Sequence, residues 1–229
     1  MKKEIRIDEL RVMMLDALAL RGIGSEDADF IVDDFLDAEL EGHKTHGVSK
    51  FLTIDIGLSG REGSIEIVSR TGGHAKIDGH RELGHIAARQ AAALSAELAK
   101  EHGVGLVALT NVSRYARLVP YSRLIAERGC IGIVTNNGGP AHVVPFGGSA
   151  PMFGTNPLSF GFPQGEKPPL LFDFATAQGV WGELRQAIVE ERSLPERTFL
   201  DAAGAFTTDP QRVQGVLPFG GARGAALCM

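Results

Sequence analysis

The segment Glu41–Phe51 holds two histidines, His43 and His46, and two lysines, Lys44 and Lys50, within eleven residues. Imidazole is the side chain best suited to exchange a proton near neutral pH. His46 lies between Thr45 and Gly47 at an expected helix start, where the helix dipole favours the neutral ring. Lys50, four residues further on, falls on the same face of that helix. An acid/base beside a fixed cation suits a keto acid or hydroxy acid: one group serves the hydroxyl proton and the other the carboxylate. The same segment admits a metal reading, because His43 and His46 stand three apart with Glu41 alongside. HExxH is absent, however, and His142 is the one distant candidate for a third ligand. Ordinary surface histidines, or satisfied core ones, are the plain alternative.

The elements around this segment follow from periodicity. Asp8–Leu20 reads as a helix with Leu10, Met13, Met14 and Leu18 on one side, and Gly22 suits its C-terminal turn. Ser25 reads as the N-cap of a second helix, with Glu26 and Asp27 in its first turn. Ala28, Ile31, Val32, Phe35, Leu36 and Leu40 recur at helical spacing until Gly42. Val48–Leu58 reads as a third helix, stopped by Ser59–Gly63. Beyond it the pattern changes: Ser64–Ser69 alternates like a strand and pairs with Ala75–Asp78 around Thr71-Gly72-Gly73. Ile86–Glu101 is an alanine-rich helix, Val104–Thr110 a buried strand and Pro120–Glu127 a short helix. Ile131–Thr135, Leu158–Phe162 and Leu170–Phe174 read as further apolar strands, and Gly179–Glu190 as helix. The expected fold is α/β, with an N-terminal helical part over residues 1–62 and an α/β part over 63–229.

Composition excludes several classes. At 229 residues, 44% hydrophobic and 22% charged, the chain is long enough to bury a sizeable core. A formal charge of −5, with no basic run, argues against a nucleic-acid partner. Cys130 and Cys228 are too few and too far apart for a disulfide framework and suit a reducing compartment. No apolar window is long enough to span a membrane, and the charged start lacks a signal-peptide core. A cytoplasmic location is therefore expected.

Three turn-rich clusters, Thr135–Pro140 (including Gly139), Val143–Gly148 and Gly154–Pro157, suggest backbone donors around a ligand; plain strand connections are the competing explanation. Asp173-Phe174-Ala175-Thr176 ends a buried strand with a carboxylate and a hydroxyl, a common place for ligand contacts in α/β proteins. Gly103–Ala108 fits the pattern GxGxxA but runs from a helix into a strand. A dinucleotide fingerprint requires the reverse order, so it reads as a helix stop.

Taken together, these pieces resemble the malate/L-lactate dehydrogenase family of nicotinamide-dependent oxidoreductases, which is unrelated to the Rossmann lactate dehydrogenases. The resemblance rests on Thr45–Phe51, similar to the family's Ser-His-Gly-Val-x-Arg, and on Val143–Gly148 with Gly154–Pro157. Asp173–Thr176, Thr207–Pro210 and Leu217–Gly224 complete it in order along nearly the whole chain. It implies a non-Rossmann mixed-sheet cofactor domain joined to a helical domain, a homodimer, and NAD or NADP as cofactor. Hydride would pass between the nicotinamide and the carbinol carbon of a small 2-hydroxy acid. His46 matches the proton donor and acceptor. Lys50 stands where the family has arginine and would hold the substrate carboxylate. Thr155 and Asn156 would shape the substrate side. Gly139, Asp173, Phe174, Ala175, Thr176 and Arg223 would line the cofactor, and no metal is implied.

Two departures follow from the same resemblance. The family's second histidine falls on Arg114, which could bind a distal anion instead. Family chains also continue past Gly221–Gly224, and the apolar ending Gly224–Met229 lacks a cap or polar tail. The expectation is an incomplete chain, with apolar faces on its first two helices uncovered. The alternative reading is a catalytically inactive remnant that at most binds cofactor or a partner subunit.

Overall fold

The computed structural model describes residues 4–228. Two compact units emerge: one runs up to Ile131 and includes Pro163–Pro169, and the other comprises Gly132–Phe162 and the chain from Leu170 onward. This division differs from the expected boundary at residue 62. The reason is packing: α2 (Ser25–Leu40) buries its apolar face against α5 (Gly84–His102), and α5 also packs on the first sheet, so it joins the helical core to that of the sheet.

In the first unit, α1 (Ile7–Ala19) packs on α2. Leu18, Ile31, Val32 and Phe35 form the core together with Leu83 and Ile86 at the start of α5. Each such side chain contributes roughly 1.5–3 kcal/mol by leaving water. The N-cap of α2 is Gly24 rather than Ser25, which is the first helical residue and makes no capping bond. Val12 and Met13 on α1 stay 56% and 59% exposed, so part of that helix's apolar surface faces outward.

The expected helix over 48–58 is two short pieces, α3 (Val48–Phe51) and α4 (Ile54–Leu58), separated at Leu52–Thr53. The Thr53 hydroxyl donates to the Lys50 carbonyl, a local bond that competes with helix continuation. Strands β1 (Glu66–Thr71) and β2 (His74–Asp78) form an antiparallel hairpin, and β2 then pairs in parallel with β3 (Leu106–Thr110) across α5. The sheet is therefore mixed. Gly103, with φ of +83°, closes α5 in the left-handed conformation, in keeping with a helix stop. β3 is not the buried strand expected: Leu106 is 58% exposed, because β3 is an edge strand. α6 (Val119–Glu127) packs against α5.

A second sheet joins β4 (Gly132–Thr135), β5 (Leu158–Gln164) and β6 (Lys167–Phe174) in that order, all but its Pro163–Pro169 tip belonging to the second unit. β6 is an edge strand with Leu170, Phe172 and Phe174 exposed, again not the buried strand expected. The helix α7 (Trp181–Val189) covers a core of Val143, Leu184, Phe199 and Val216. A third small sheet joins β7 (Phe199–Leu200), β8 (Phe206–Thr207) and β9 (Gly215–Val216), and α8 (Ala222–Cys228) follows. Three small sheets replace the open parallel sheet of a Rossmann fold.

Candidate active site

The first unit carries the acid/base candidates. His46 closes a single 3-10 turn, Lys44–His46, and Gly47 breaks the backbone before α3 begins. The Glu39 carboxylate accepts from the Val48 N–H at 3.0 Å and lies against the Gly47 backbone. That contact ties the turn to α2. The Thr45 hydroxyl stands 3.0 Å from His46 Nδ1, which leaves Nε2 for other partners. Burial pushes the His46 imidazole below its ordinary value of 6.5; Asp34 opposes this, while the positive charges of Lys50, Arg117 and His43 add to it. The direction agrees with the sequence expectation but the cause differs. Desolvation, rather than the dipole of a four-residue helix, dominates.

Lys50 and Arg114 come together in one pocket, together with Phe35, His85, Tyr115 and their neighbours. The cavity measures about 20 Å³, room for a single water-sized group. Gly84 lets α5 approach this close: a Cβ there would stand 2.7 Å from the Ser113 carbonyl oxygen and 2.4 Å from the Tyr115 ring. Burial raises the Tyr115 phenol to about 12, so it keeps its proton across the ordinary pH range.

Behind the pocket lies a charged cluster that the sequence reading did not single out. Asp34 is fully buried on α2 and accepts from Arg117 Nε at 2.9 Å, while Arg117 Nη2 donates to the Asp34 carbonyl at 3.1 Å. Arg117 also donates to Glu41, and Arg123 donates to Asp37 at 2.7 Å. His85 Nε2 stands 3.3 Å from the second Asp34 oxygen, Oδ2. A signal was available: Asp34 interrupts the apolar stripe of α2 three residues after Ile31, a position that buries whatever occupies it.

The second unit carries the remaining candidates. Asn156 is buried with φ of +33°, and its side chain accepts from the Gly138 N–H and donates to Asn137, each at 3.3 Å. Thr176 is wholly buried, and its hydroxyl donates to the carbonyls of Thr155 at 2.9 Å and Asn156 at 3.0 Å. Its role in the structure is to hold the 155–156 turn. Gly139, φ +83°, is exposed in the neighbouring loop.

A cleft of about 920 Å³ opens beside this turn, lined by Phe174, Ala175, Ala177, Gln178, Gly179 and Gly220–Gly221 among others, within the roughly 300–1,000 Å³ range of ligand sites. Phe174 and Phe219 meet edge to face at 5.6 Å and form its aromatic wall. Gly220 and Gly221 have φ of +60° and +63°, a conformation that keeps side chains off this part of the wall. Of the expected cofactor set, Phe174 and Ala175 line the cleft. Asp173 is exposed on β6, and Arg223 is exposed on α8, two residues after Gly221. The glycine-rich turn at Phe219–Gly221 supplies more of the lining than was assigned from the sequence.

The chain thus combines small mixed sheets, a histidine with Lys50 nearby in one unit and a glycine-lined cleft in the other. The sequence profile of the malate/L-lactate dehydrogenase family matches residues 5–229, and the chain belongs to that family. Its relatives include the L-sulfolactate dehydrogenase of Methanocaldococcus jannaschii, 34% identical over 95% of this chain and 64% of that protein. The Delta(1)-pyrroline-2-carboxylate reductase 1 of Burkholderia ambifaria is 29% identical, covering 97% of this chain and 67% of the reductase. Among solved structures, malate dehydrogenase from Entamoeba histolytica superposes with a TM-score of 0.89 at 27% identity, over 100% of this chain and 68% of that one. Sulfolactate dehydrogenase from M. jannaschii gives 0.86 at 32% identity, over 98% and 66%. The chain thus spans about two-thirds of the length of these relatives. Among the described residues no helix is long and apolar enough to cross a membrane.

Proposed function

We propose that the protein is an NAD(P)-dependent oxidoreductase of small 2-hydroxy and 2-keto acids, with a dianionic acid as the favoured substrate. The observation that carries this reading is that two cations, Lys50 and Arg114, border one small hollow, sized for a single oxygen rather than for a whole acid, in the unit that also holds His46. One cation takes the carboxylate next to the reacting carbon, and the other takes a second anionic group. Names among the relatives, sulfolactate and malate dehydrogenases, support such substrates.

The second unit's cleft fits a nicotinamide dinucleotide in size and character, with an aromatic wall at Phe174 and Phe219 and a small-residue lining at Ala175, Gly220 and Gly221. When bound, that cofactor supplies the hydride. In the reducing direction His46 gives its Nε2 proton to the carbonyl oxygen as the carbonyl carbon becomes a carbinol, so hydride and proton together yield the 2-hydroxy acid. Thr45 holds the ring through Nδ1. Thr176 keeps the Thr155–Asn156 turn of the second unit in shape. A homodimer is the assembly expected of the family. The test is NADH or NADPH oxidation by the purified chain with a panel of 2-keto acids. Turnover with oxaloacetate and sulfopyruvate above that with pyruvate supports the dianion reading; preference for pyruvate overturns it.

A further inference from the structure

Asp34 Oδ2 and both ring nitrogens of His85 are buried, and none of the three makes a hydrogen bond among the described residues. The Asp34 and His85 side chains are 0% and 3% exposed. Buried polar atoms without partners are costly, at about 1–3 kcal/mol each. Such groups therefore repay a search for what satisfies them. Oδ2 and Nε2 face each other at 3.3 Å, so a small ring rotation gives an Nε2–H···Oδ2 bond. The other Asp34 oxygen already accepts from Arg117, so Oδ2 faces His85 as an acceptor. Hence the proton belongs on Nε2 and Nδ1 is left as an acceptor. His85 lines the Lys50–Arg114 pocket, whose volume is about 20 Å³. This size suits one protic oxygen.

We infer that His85 is a second imidazole of the site, held by Asp34 through Nε2–H, whose Nδ1 accepts a hydrogen bond from one protic oxygen in the Lys50–Arg114 pocket. The oxygen is either the hydroxyl of a bound hydroxy acid or a single water. His85 stands on α5, a different element from Arg114, where the family's second histidine would fall. The groups around it are Asp34 on α2, Lys50 on α3, and Arg114 and Tyr115 on the 111–118 segment, with Arg117 on the other oxygen of Asp34. The inference rests on the substrate reading above only for the identity of the bound acid.

Nitrogen NMR of the histidine-labelled chain tests it, with the His85 signals assigned by their loss in His85→Gln. The expected result is a protonated Nε2 and an Nδ1 shifted as a hydrogen-bonded acceptor, with Asp34→Asn weakening the Nε2 preference. Tartronate and malonate, two diacids that differ by one hydroxyl, separate the sources. If Nδ1 moves with tartronate alone, the ligand hydroxyl is the donor; if it is hydrogen-bonded in the free chain and unmoved by either, water is. A proton on Nδ1, or a bare Nδ1 both free and with tartronate, overturns the inference. If neither diacid moves the His46 signals, the substrate reading fails, while the His85 tautomer is still decided in the free chain.

Discussion

The Thr45 hydroxyl lies 3.0 Å from Nδ1 of His46, across a 3-10 turn that Glu39 pins to α2. A side chain one residue away therefore orients the ring, and Nε2 is the nitrogen left for chemistry. Thr45→Val removes that anchor while nearly keeping the volume. We expect kcat to fall by roughly tenfold, in line with about 1–1.5 kcal/mol for a lost hydrogen bond, with nucleotide affinity unchanged. Steady-state kinetics beside a fluorescence titration checks both halves.

The direction of the His46 shift fixes a pH dependence. Its imidazole is pushed below 6.5 by burial, and reduction needs the protonated ring. The reductive kcat should therefore decline as pH rises through a value below 6.5, and the oxidative rate should climb over the same interval. Stability follows the same proton. Below 6.5 the unfolded chain takes up a proton that the folded His46 resists, so stability is lost as pH falls through that window. Thermal melts across the window read the second effect, and pH–rate profiles in both directions read the first.

Lysine at position 50 keeps the charge of the family's arginine but not its bidentate fork. Lys50→Ala should raise KM for the acid by roughly ten- to a hundredfold, the range of about 1.5–3 kcal/mol for a hydrogen bond to a charged group. Lys50→Arg should recover most of that loss. A KM for Lys50→Ala equal to that of the unmodified chain would remove Lys50 from the carboxylate site.

Arg117 is the counter-charge of a carboxylate that has no access to water. Arg117→Ala leaves Asp34 buried without its counter-charge, with His85 alone beside it, at a cost of about 3–5 kcal/mol. For a chain of this size that amounts to roughly 6–20 °C in Tm. Adding Asp34→Asn to Arg117→Ala should restore part of the loss, because the uncompensated charge is gone. Calorimetry on the two variants decides it.

Local pattern made much of this legible before any coordinates. The apolar stripes of α1 and α2 gave both helices, and Gly72-Gly73 gave the first hairpin. His46 and Lys50 stood out because they sit in one short segment. What escaped was long-range. Arg117 reaches Asp34 across 83 residues, and His85 meets it from a third element, so no window of sequence contains the cluster. The break between α3 and α4 escaped because Thr53 bonds its own turn, a choice that apolar periodicity does not register. The strands β3 and β6 looked buried from their composition, yet edge position decided their exposure. Thr176 was legible as a ligand-side residue only through its motif, and its hydroxyl is given to the Thr155 and Asn156 carbonyls.

The most direct test of His46 as the proton donor is NAD(P)H oxidation with the preferred 2-keto acid, comparing the unmodified chain with His46→Gln. The account predicts a drop in kcat of roughly 10²–10⁴-fold for a lost general acid, with the fluorescence titration of the reduced nucleotide unchanged. Turnover by His46→Gln within a few-fold of the unmodified chain would contradict it.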